Sequence, residues 1–436
     1  PMRNRSTLNW VLGALIVILL GILIYYLPPV HDRLAWRVEE LVLSIRYQIN
    51  PPQEVVFTPQ EQAQAVPTDT PLPTSTATAT STPAATEAGP SATPLPSATP
   101  TITPTPLPGQ ALLQGVRYDD QHGRFNYCAP ANLSMALSYW GWQGNKDTVG
   151  PVVKPDPKDK NVMPYEMAEY VRENTELGAV VRVGGDLDTI RRFINSGYPV
   201  LVEKGTYLRD LTGVVSWMGH YQVVTGYDDE KQEFITQDSY VGADHIVPYD
   251  EMERNWRAFN NTYMIIHPLE DEAEVISLLG EDADETSNYQ RAAQRASDEI
   301  FGLQFSDQFF AWFNRGTNLM YLQDYAGAAD AYDNAFAVYA GLDEANRPWR
   351  MLWYQTGPYF AYFYSQRYWD VLNLAETTLN QMQSDRNLEE SYYWRGMAKA
   401  ALGDTAGAIE DMRTCLKYHP GFEPALYQLE VLGASP

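Results

Sequence analysis

Cysteine is almost absent from this chain of 436 residues, which contains only Cys128 and Cys415. With one cysteine in each predicted domain, no disulfide within a domain is available, so the redox compartment stays undetermined. Positive charge is also scarce, because 31 Lys and Arg stand against 55 Asp and Glu, for a formal net charge of −24. This imbalance argues against nucleic acid or an anionic membrane surface as a partner. The length predicts two or three domains.

No charged residue lies between Arg5 and Asp32, and residues 8–27 are almost wholly apolar. Twenty such residues can cross the hydrocarbon core as one helix. A cleaved signal peptide is the alternative, but the apolar run is long and no small-residue cleavage site follows it. The sequence therefore predicts an N-terminal transmembrane anchor over residues 1–30, with a juxtamembrane helix over residues 31–50.

Lys and Arg are missing between Arg46 and Arg117, and Pro, Thr, Ser and Ala dominate residues 51–110. This composition buries no core and predicts an extended, disordered stalk. At about 3.1 Å per residue in polyproline geometry, the stalk would reach up to ~190 Å. Thr/Ser-Pro stalks are typical of cell-surface proteins, so we expect a single-pass protein with its N-terminus inside and its C-terminal domains extracytoplasmic.

Residues 111–270 alternate between helix-like and strand-like patterns, which predicts an α+β domain containing an antiparallel sheet. An acidic linker and a leading helix follow over residues 271–305. The predicted helices cover residues 129–140, 164–174 and 186–196, and the predicted strands cover Pro199–Glu203, His220–Tyr227, Glu233–Asp238 and Thr262–His267.

A repeated pattern occupies residues 306–420, within a predicted domain over residues 306–436. Trp312, Gly316 and Leu319, followed by Ala328, Tyr332 and Ala335, return as Tyr392 and Gly396, followed by Ala408, Met412 and Cys415. The pattern resembles the tetratricopeptide family, which implies an all-α superhelix, closed here by a capping helix near residues 422–432. An ordinary helical bundle is the alternative. The repeats would recruit a protein partner or substrate, and Cys415 is interpreted as a packing residue.

The residues around Cys128 indicate that its thiol is a nucleophile. Apolar residues recur at helical spacing from Pro130 to Trp140, and Gly141 is a natural helix stop, so Cys128 begins a helix. Free N–H groups at a helix N-terminus favour the thiolate. A thiolate nucleophile also needs a base and an orienting group.

His220 is the best candidate base among six histidines, because it opens a strand after Gly219. The run Glu233–Asp238 reads as the antiparallel partner of that strand, which pairs His220 with about residues 238–240. Asp238 would then project beside His220 and orient its ring. Gln121, seven residues before Cys128, can offer its amide to an oxyanion. This chemistry requires no cofactor or metal.

These residues resemble the bacteriocin-processing, double-glycine-leader peptidase family over about residues 112–268. The resemblance rests on Gln121, on Cys128-Ala-Pro-Ala, on Gly219-His220-Tyr-Gln-Val-Val-Thr-Gly-Tyr227, and on Asp238. It implies a papain-like fold with Cys128, His220, Asp238 and Gln121 in the catalytic positions. Ala129 stands where glycine is usual and Ser239 where proline often occurs. Since no transporter or Gly-x-x-x-x-Gly-Lys-[Ser/Thr] motif is present, the leader-peptide substrate is not implied.

Two other functions stay open beside a membrane-anchored cysteine peptidase. One is a surface scaffold whose papain-like domain binds without turnover. The other is an amidase or acyl transferase of the cell envelope, which would use the same acyl-enzyme chemistry.

Overall fold

The structure is a computed structural model, and it describes only part of the chain. The described residues are 3–27, 30, 34, 37, 38, 41, 42, 45, 49, 56–60, 106–124, 126–156, 158–209, 215–382 and 386–436. In helix α1 (Arg3–Tyr25), side chains are described at Trp10 and from Leu12 onward. The predicted stalk lies outside the described residues except at its two ends, and the predicted juxtamembrane helix is described at seven separate positions only.

Helix α1 overlaps the residues predicted as a membrane anchor. Over the described residues, no helix combines the length and the apolar character that a membrane crossing needs.

An α+β domain follows, as the sequence predicts, and its elements run from residue 110 to residue 268. Its strands are β1 (Gln110–Leu112), β2 (Leu177–Arg182), β3 (Val200–Arg209), β4 (Val215–Asp228), β5 (Glu233–Asp238), β6 (Gly242–Pro248) and β7 (Tyr263–Pro268). Its helices are α2 (Cys128–Tyr139), α3 (Lys146–Val153), α4 (Pro164–Asn174), α5 (Leu187–Asn195) and α6 (Tyr249–Arg257).

The described strands form one antiparallel sheet in the order β2-β7-β3-β4-β5-β6, and β1 pairs with β4. Alternate residues of each strand face opposite sides. On one face of the sheet, Leu201 and Val223 belong to a hydrophobic core that also contains residues of α2. On the other face, Val200 and Val224 belong to a core that also contains residues of α5. Both faces are thus covered by helices, and the predicted β4–β5 hairpin is confirmed in the register Val223↔Gln237.

The C-terminal region is helical throughout its described part. Its helices are α7 (Glu272–Leu279), α8 (Glu285–Glu299), α9 (Phe305–Tyr321), α10 (Tyr325–Ala340), α11 (Met351–Tyr354), α12 (Gly357–Tyr364), α13 (Tyr368–Asn380), α14 (Glu389–Ala401), α15 (Thr405–Tyr418) and α16 (Glu423–Val431), with short 3-10 turns at Leu269–Asp271, Gly280–Ala283 and Glu344–Asn346. Helices α8 and α16 lie where the leading and capping helices are predicted, and the capping role of α16 stays a prediction.

Small residues allow close approach where these helices pair. A Cβ on Gly316 of α9 would lie 2.8 Å from the ring of Tyr332 on α10, and a Cβ on Gly396 of α14 would lie 3.0 Å from Met412 on α15. These are the glycines of the repeated pattern. Assignment to the tetratricopeptide family stays a prediction.

The helical region packs directly against the α+β domain. Trp217 of β4 stacks on Phe259, with ring centroids 5.8 Å apart, and on Phe310 of α9, with centroids 6.0 Å apart. Buried Arg350 donates to the Ser216 hydroxyl over 2.5 Å, and Gln355 donates to the Ala258 carbonyl over 2.8 Å. Because aromatic packing and buried hydrogen bonds join them, the two regions share one core.

Candidate active site

Cys128 is the first residue of α2, at the N-terminus as predicted. Every residue of the helix from Ala129 to Ser138 is buried, which fixes the start of α2 against the sheet. Tyr127 precedes it and supplies no side-chain cap. The N–H groups of the first turn therefore face the half-buried Cys128 thiol with their positive dipole end.

His220 of β4 and Asp238, the last residue of β5, meet side by side. His220 Nε2 lies 2.8 Å from Asp238 Oδ1, and both side chains are 1% exposed. With Nε2 on the carboxylate, Nδ1 is the ring nitrogen left for the thiol. Cys128 and His220 line the same cleft, and each shifts the pKa of the other. The structure thus brings Cys128, His220 and Asp238 together.

The Asp238 carboxylate is held by four donors. Besides His220, Gln222 Nε2 donates to Oδ2 over 2.6 Å, and the backbone N–H groups of Tyr240 and Val241 donate to Oδ1 over 2.8 and 3.0 Å. Burial by itself would raise the pKa of Asp238, but the charge and hydrogen bond of His220, together with the charge of Lys204, hold it well below its usual value. Asp238 is a fixed anion.

Electrostatics favour an ion pair between thiol and imidazole. Burial alone would raise the pKa of Cys128, but the hydrogen bond and charge of His220, the backbone of Tyr221 and the charge of Lys154 lower it overall. Burial would lower the pKa of His220, but Asp238 and Cys128 raise it to about 9. Each partner stabilises the charged form of the other, which is the state a thiolate nucleophile needs.

Gln121 is held by a relay from the nucleophile helix. Asn132 Nδ2 of α2 donates to the Ser239 hydroxyl over 2.7 Å, and Ser239 in turn donates to Gln121 Oε1 over 2.7 Å. The backbone N–H of Gln121 also donates to the Ser239 carbonyl over 3.0 Å. Since Oε1 is occupied, the amide N–H₂ group of Gln121 is left as a donor beside Cys128, where both residues line one cleft.

The cleft is narrow and draws on both regions of the chain. Its free space is about 40 Å³, little more than one water molecule occupies in the liquid. Residues of the α+β domain line most of it, and Tyr354 of α11 contributes from the helical region. A Cβ on Gly219 would lie 2.9 Å from the Tyr354 ring and 2.7 Å from the Phe259 ring. Glycine before His220 is therefore required for Tyr354 to sit against this strand.

Several residues of the site were not predicted from the sequence. Gln222 follows His220 by two residues and so shares its strand face, a parity that could have revealed it. In the sequence, Ser239 is distinguished only as a departure from the usual proline. Lys154 and Tyr354 carry no local signal.

The other candidate histidines lie elsewhere. His122 pairs with Asp120, His267 contacts the Pro268 carbonyl, and His419 pairs with Glu389. His245 belongs to β6, a strand that the sequence did not predict and that forms because residues 242–248 pair with β5. Among the described residues, no group of three or more His, Cys, Asp or Glu side chains could hold a metal ion.

Comparisons with known proteins found similarity within this domain. Residues 113–264 match the Peptidase_C39 like family. A solved structure described as a C39-like peptidase from Bacillus anthracis aligns with 16% identity and a TM-score of 0.29, over 36% of this chain and 96% of that one. No curated protein sequence matches. Residues 113–264 of the α+β domain are thus similar to the C39-like peptidase family, and a helical region follows them.

Proposed function

We propose that the protein is a cysteine peptidase that uses Cys128 as nucleophile, His220 as general base and acid, Asp238 as the group that orients His220, and Gln121 as oxyanion donor. The observation that carries the proposal is the His220–Asp238 pair, 2.8 Å apart, in which His220 shares one cleft with the Cys128 thiol at an uncapped helix N-terminus and lowers the pKa of that thiol.

In the proposed reaction, the Cys128 thiolate attacks the carbonyl carbon of a peptide bond and forms a tetrahedral intermediate. The Gln121 amide and the backbone N–H of Cys128 stabilise the oxyanion. The His220 imidazolium gives its proton to the leaving amine, the C–N bond breaks, and a thioester to Cys128 remains. Neutral His220 then takes a proton from water as the hydroxide attacks the thioester, which releases the acid and restores the thiolate–imidazolium pair.

The helical region supports a role in substrate access, because Tyr354 of α11 forms part of the wall of the cleft. We propose that this region completes the active site and also presents a surface for a protein partner or substrate. Removing it would leave the strand that carries His220 exposed at Gly219 and Trp217.

The location rests on the sequence. We propose that residues 8–27 hold the chain at a membrane, with the peptidase domain outside the cytoplasm. The aliphatic side chains of α1 from Leu12 to Ile24 are exposed, which is consistent with this role. Carbonate extraction of membranes, combined with protease accessibility of intact cells, tests both parts. Release of the protein by carbonate, or protection of the peptidase domain in intact cells, would contradict them.

The activity is tested by incubating the purified chain with a peptide library and with extracts of exported proteins, then searching for an acyl adduct on Cys128 by mass spectrometry. We expect new peptide termini and a transient Cys128 adduct in the wild-type chain, and neither in Cys128→Ala. Cys415→Ala is the matched control and should retain both. A reactive Cys128 without any acyl adduct or cleavage would instead support the non-catalytic scaffold, and an adduct resolved by an amine would support an acyl transferase.

A further inference from the structure

The composition of residues 51–110 predicts a stalk that packs against nothing, but its beginning is packed. Phe57 is 6% exposed and belongs to the core of the helical region. Its ring lies edge-on to Phe336 of α10, with centroids 4.9 Å apart, and is tilted against Tyr362 of α12, with centroids 6.1 Å apart. Val56 packs partly against the same core. The segment 56–59, outside any helix or strand, thus occupies a site between two helices.

Tyr362, which forms part of this site, is held in place by contacts that do not involve Phe57. The Tyr362 hydroxyl donates to Asp333 over 2.9 Å, and Arg367 lies 4.4 Å above the Tyr362 ring while it binds both carboxylate oxygens of Asp333 over 2.8 and 2.9 Å. These bonds fix the ring against which Phe57 packs. A fixed aromatic pocket that receives one aromatic side chain is the usual form of a peptide anchor site.

The residues around Phe57 are typical of an extended segment that binds in a groove, rather than of a helix or strand of the fold. It is the only aromatic residue between Tyr47 and Tyr118, and Val55, Val56, Thr58 and Pro59 surround it. β-branched residues and proline favour an extended backbone, so this stretch is suited to lie in a groove with one anchor inserted.

We propose that the pocket between α10 and α12 is a peptide-binding site, and that residues 56–59 of this same chain occupy it as an internal ligand. A second protein using this site would need an extended segment with one aromatic anchor, and it would have to displace Phe57. The covalent connection gives the internal segment a high effective concentration, so an added peptide binds poorly while the segment is in place.

The test is a titration of the full chain with a fluorescent peptide of residues 53–62. We expect the Phe57→Ala chain to bind this peptide with an apparent Kd at least about tenfold lower than that of the wild-type chain, because the internal competitor is gone. The same peptide with alanine in place of Phe57 should not bind, and adding Phe336→Ala to the Phe57→Ala chain should abolish binding. Phe301→Ala, at a side chain that is 90% exposed, is the matched control and should behave as wild type.

Equal affinity of the wild-type and Phe57→Ala chains, or no binding by a folded Phe57→Ala chain, would overturn the proposal. Limited chymotrypsin digestion of the wild-type chain is a second test that needs no variant at Phe57. Cleavage after Phe57 should be slow and should accelerate at least tenfold in Phe336→Ala, by analogy with other buried anchors. A dimer of the wild-type chain that Phe57→Ala dissociates would show that the segment binds a second copy and would overturn internal occupancy.

Discussion

The two cysteines lie in the two folded regions, and their surroundings act on the thiols in opposite directions. Cys128 begins a helix, is half-buried, and has a lowered pKa because of His220. Cys415 lies inside α15, is fully buried, and has a raised pKa because of burial and the nearby charges of Glu389 and Glu390. Burial alone therefore does not make a thiol inert, since its partner and its position along a helix decide the charge it carries.

The largest expected effect is a difference of about a thousandfold between the alkylation rates of the two thiols at neutral pH, because Cys415 reacts only when the helical region opens. Iodoacetamide labelling followed by peptide mass spectrometry measures both rates in one sample. In strong denaturant, the two rates should agree within about threefold, since both thiols then have ordinary pKa values. A large difference that persists after unfolding would refute the structural explanation.

His220→Ala should slow alkylation of Cys128 at neutral pH by about 10- to 100-fold, because loss of the ion pair leaves burial to raise the thiol pKa. In the wild type, the thiolate is protonated below the lowered pKa of Cys128, and the imidazolium is lost above about pH 9. Peptidase activity should therefore form a bell that falls above about pH 9. His245→Ala serves as control, and an unchanged labelling rate in His220→Ala would exclude the pair.

Ser239→Ala should lower kcat by about tenfold without changing the alkylation rate of Cys128, because Ser239 orients Gln121 but does not touch the ion pair. Gln121→Ala should cost more, about 10²- to 10³-fold in kcat, because it removes the donor itself. Comparing kcat with the labelling rate separates this positioning role from general loss of structure. A parallel fall in both quantities would indicate that Ser239 is merely structural.

Tyr354→Ala should give the smallest effect, a rise of about fivefold in the ratio of Cys128 labelling by a bulky maleimide to labelling by iodoacetamide, because the cleft widens. Tyr354→Phe keeps the ring and should keep the ratio. This experiment asks whether the helical region controls access to the other region's thiol, and an unchanged ratio in Tyr354→Ala would answer that it does not.

Much of the α+β domain could be predicted because local signals were strong. Pro130 lies in the first turn of α2 and Gly141 lies just beyond its end, as predicted, and Glu233–Asp238 was predicted with the observed bounds of β5. Strand β6 was missed because Gly-Ala-Asp-His resembles a turn, and Asp244 indeed has a φ of 50°. The strand forms nevertheless, since β5 supplies its hydrogen bonds.

Contacts between segments that are far apart in the chain could not be predicted from the sequence. The position of Tyr354 depends on how two regions pack, and residue spacing carries no information about that. The packing of Phe57 could not be predicted from composition, because one aromatic residue barely changes the composition of a long Pro/Thr-rich stretch. The Asn132–Ser239–Gln121 relay joins three segments that only the fold brings together.

Gly219 has a consequence for how such a chain can change. Its missing side chain is what lets Phe259 and Tyr354 close over the strand that carries His220. A lineage that replaced Gly219 would first need smaller residues at positions 259 and 354, and one that lost the helical region would remove only the contact with Tyr354. Substitution at position 219 therefore depends on one ring from each region.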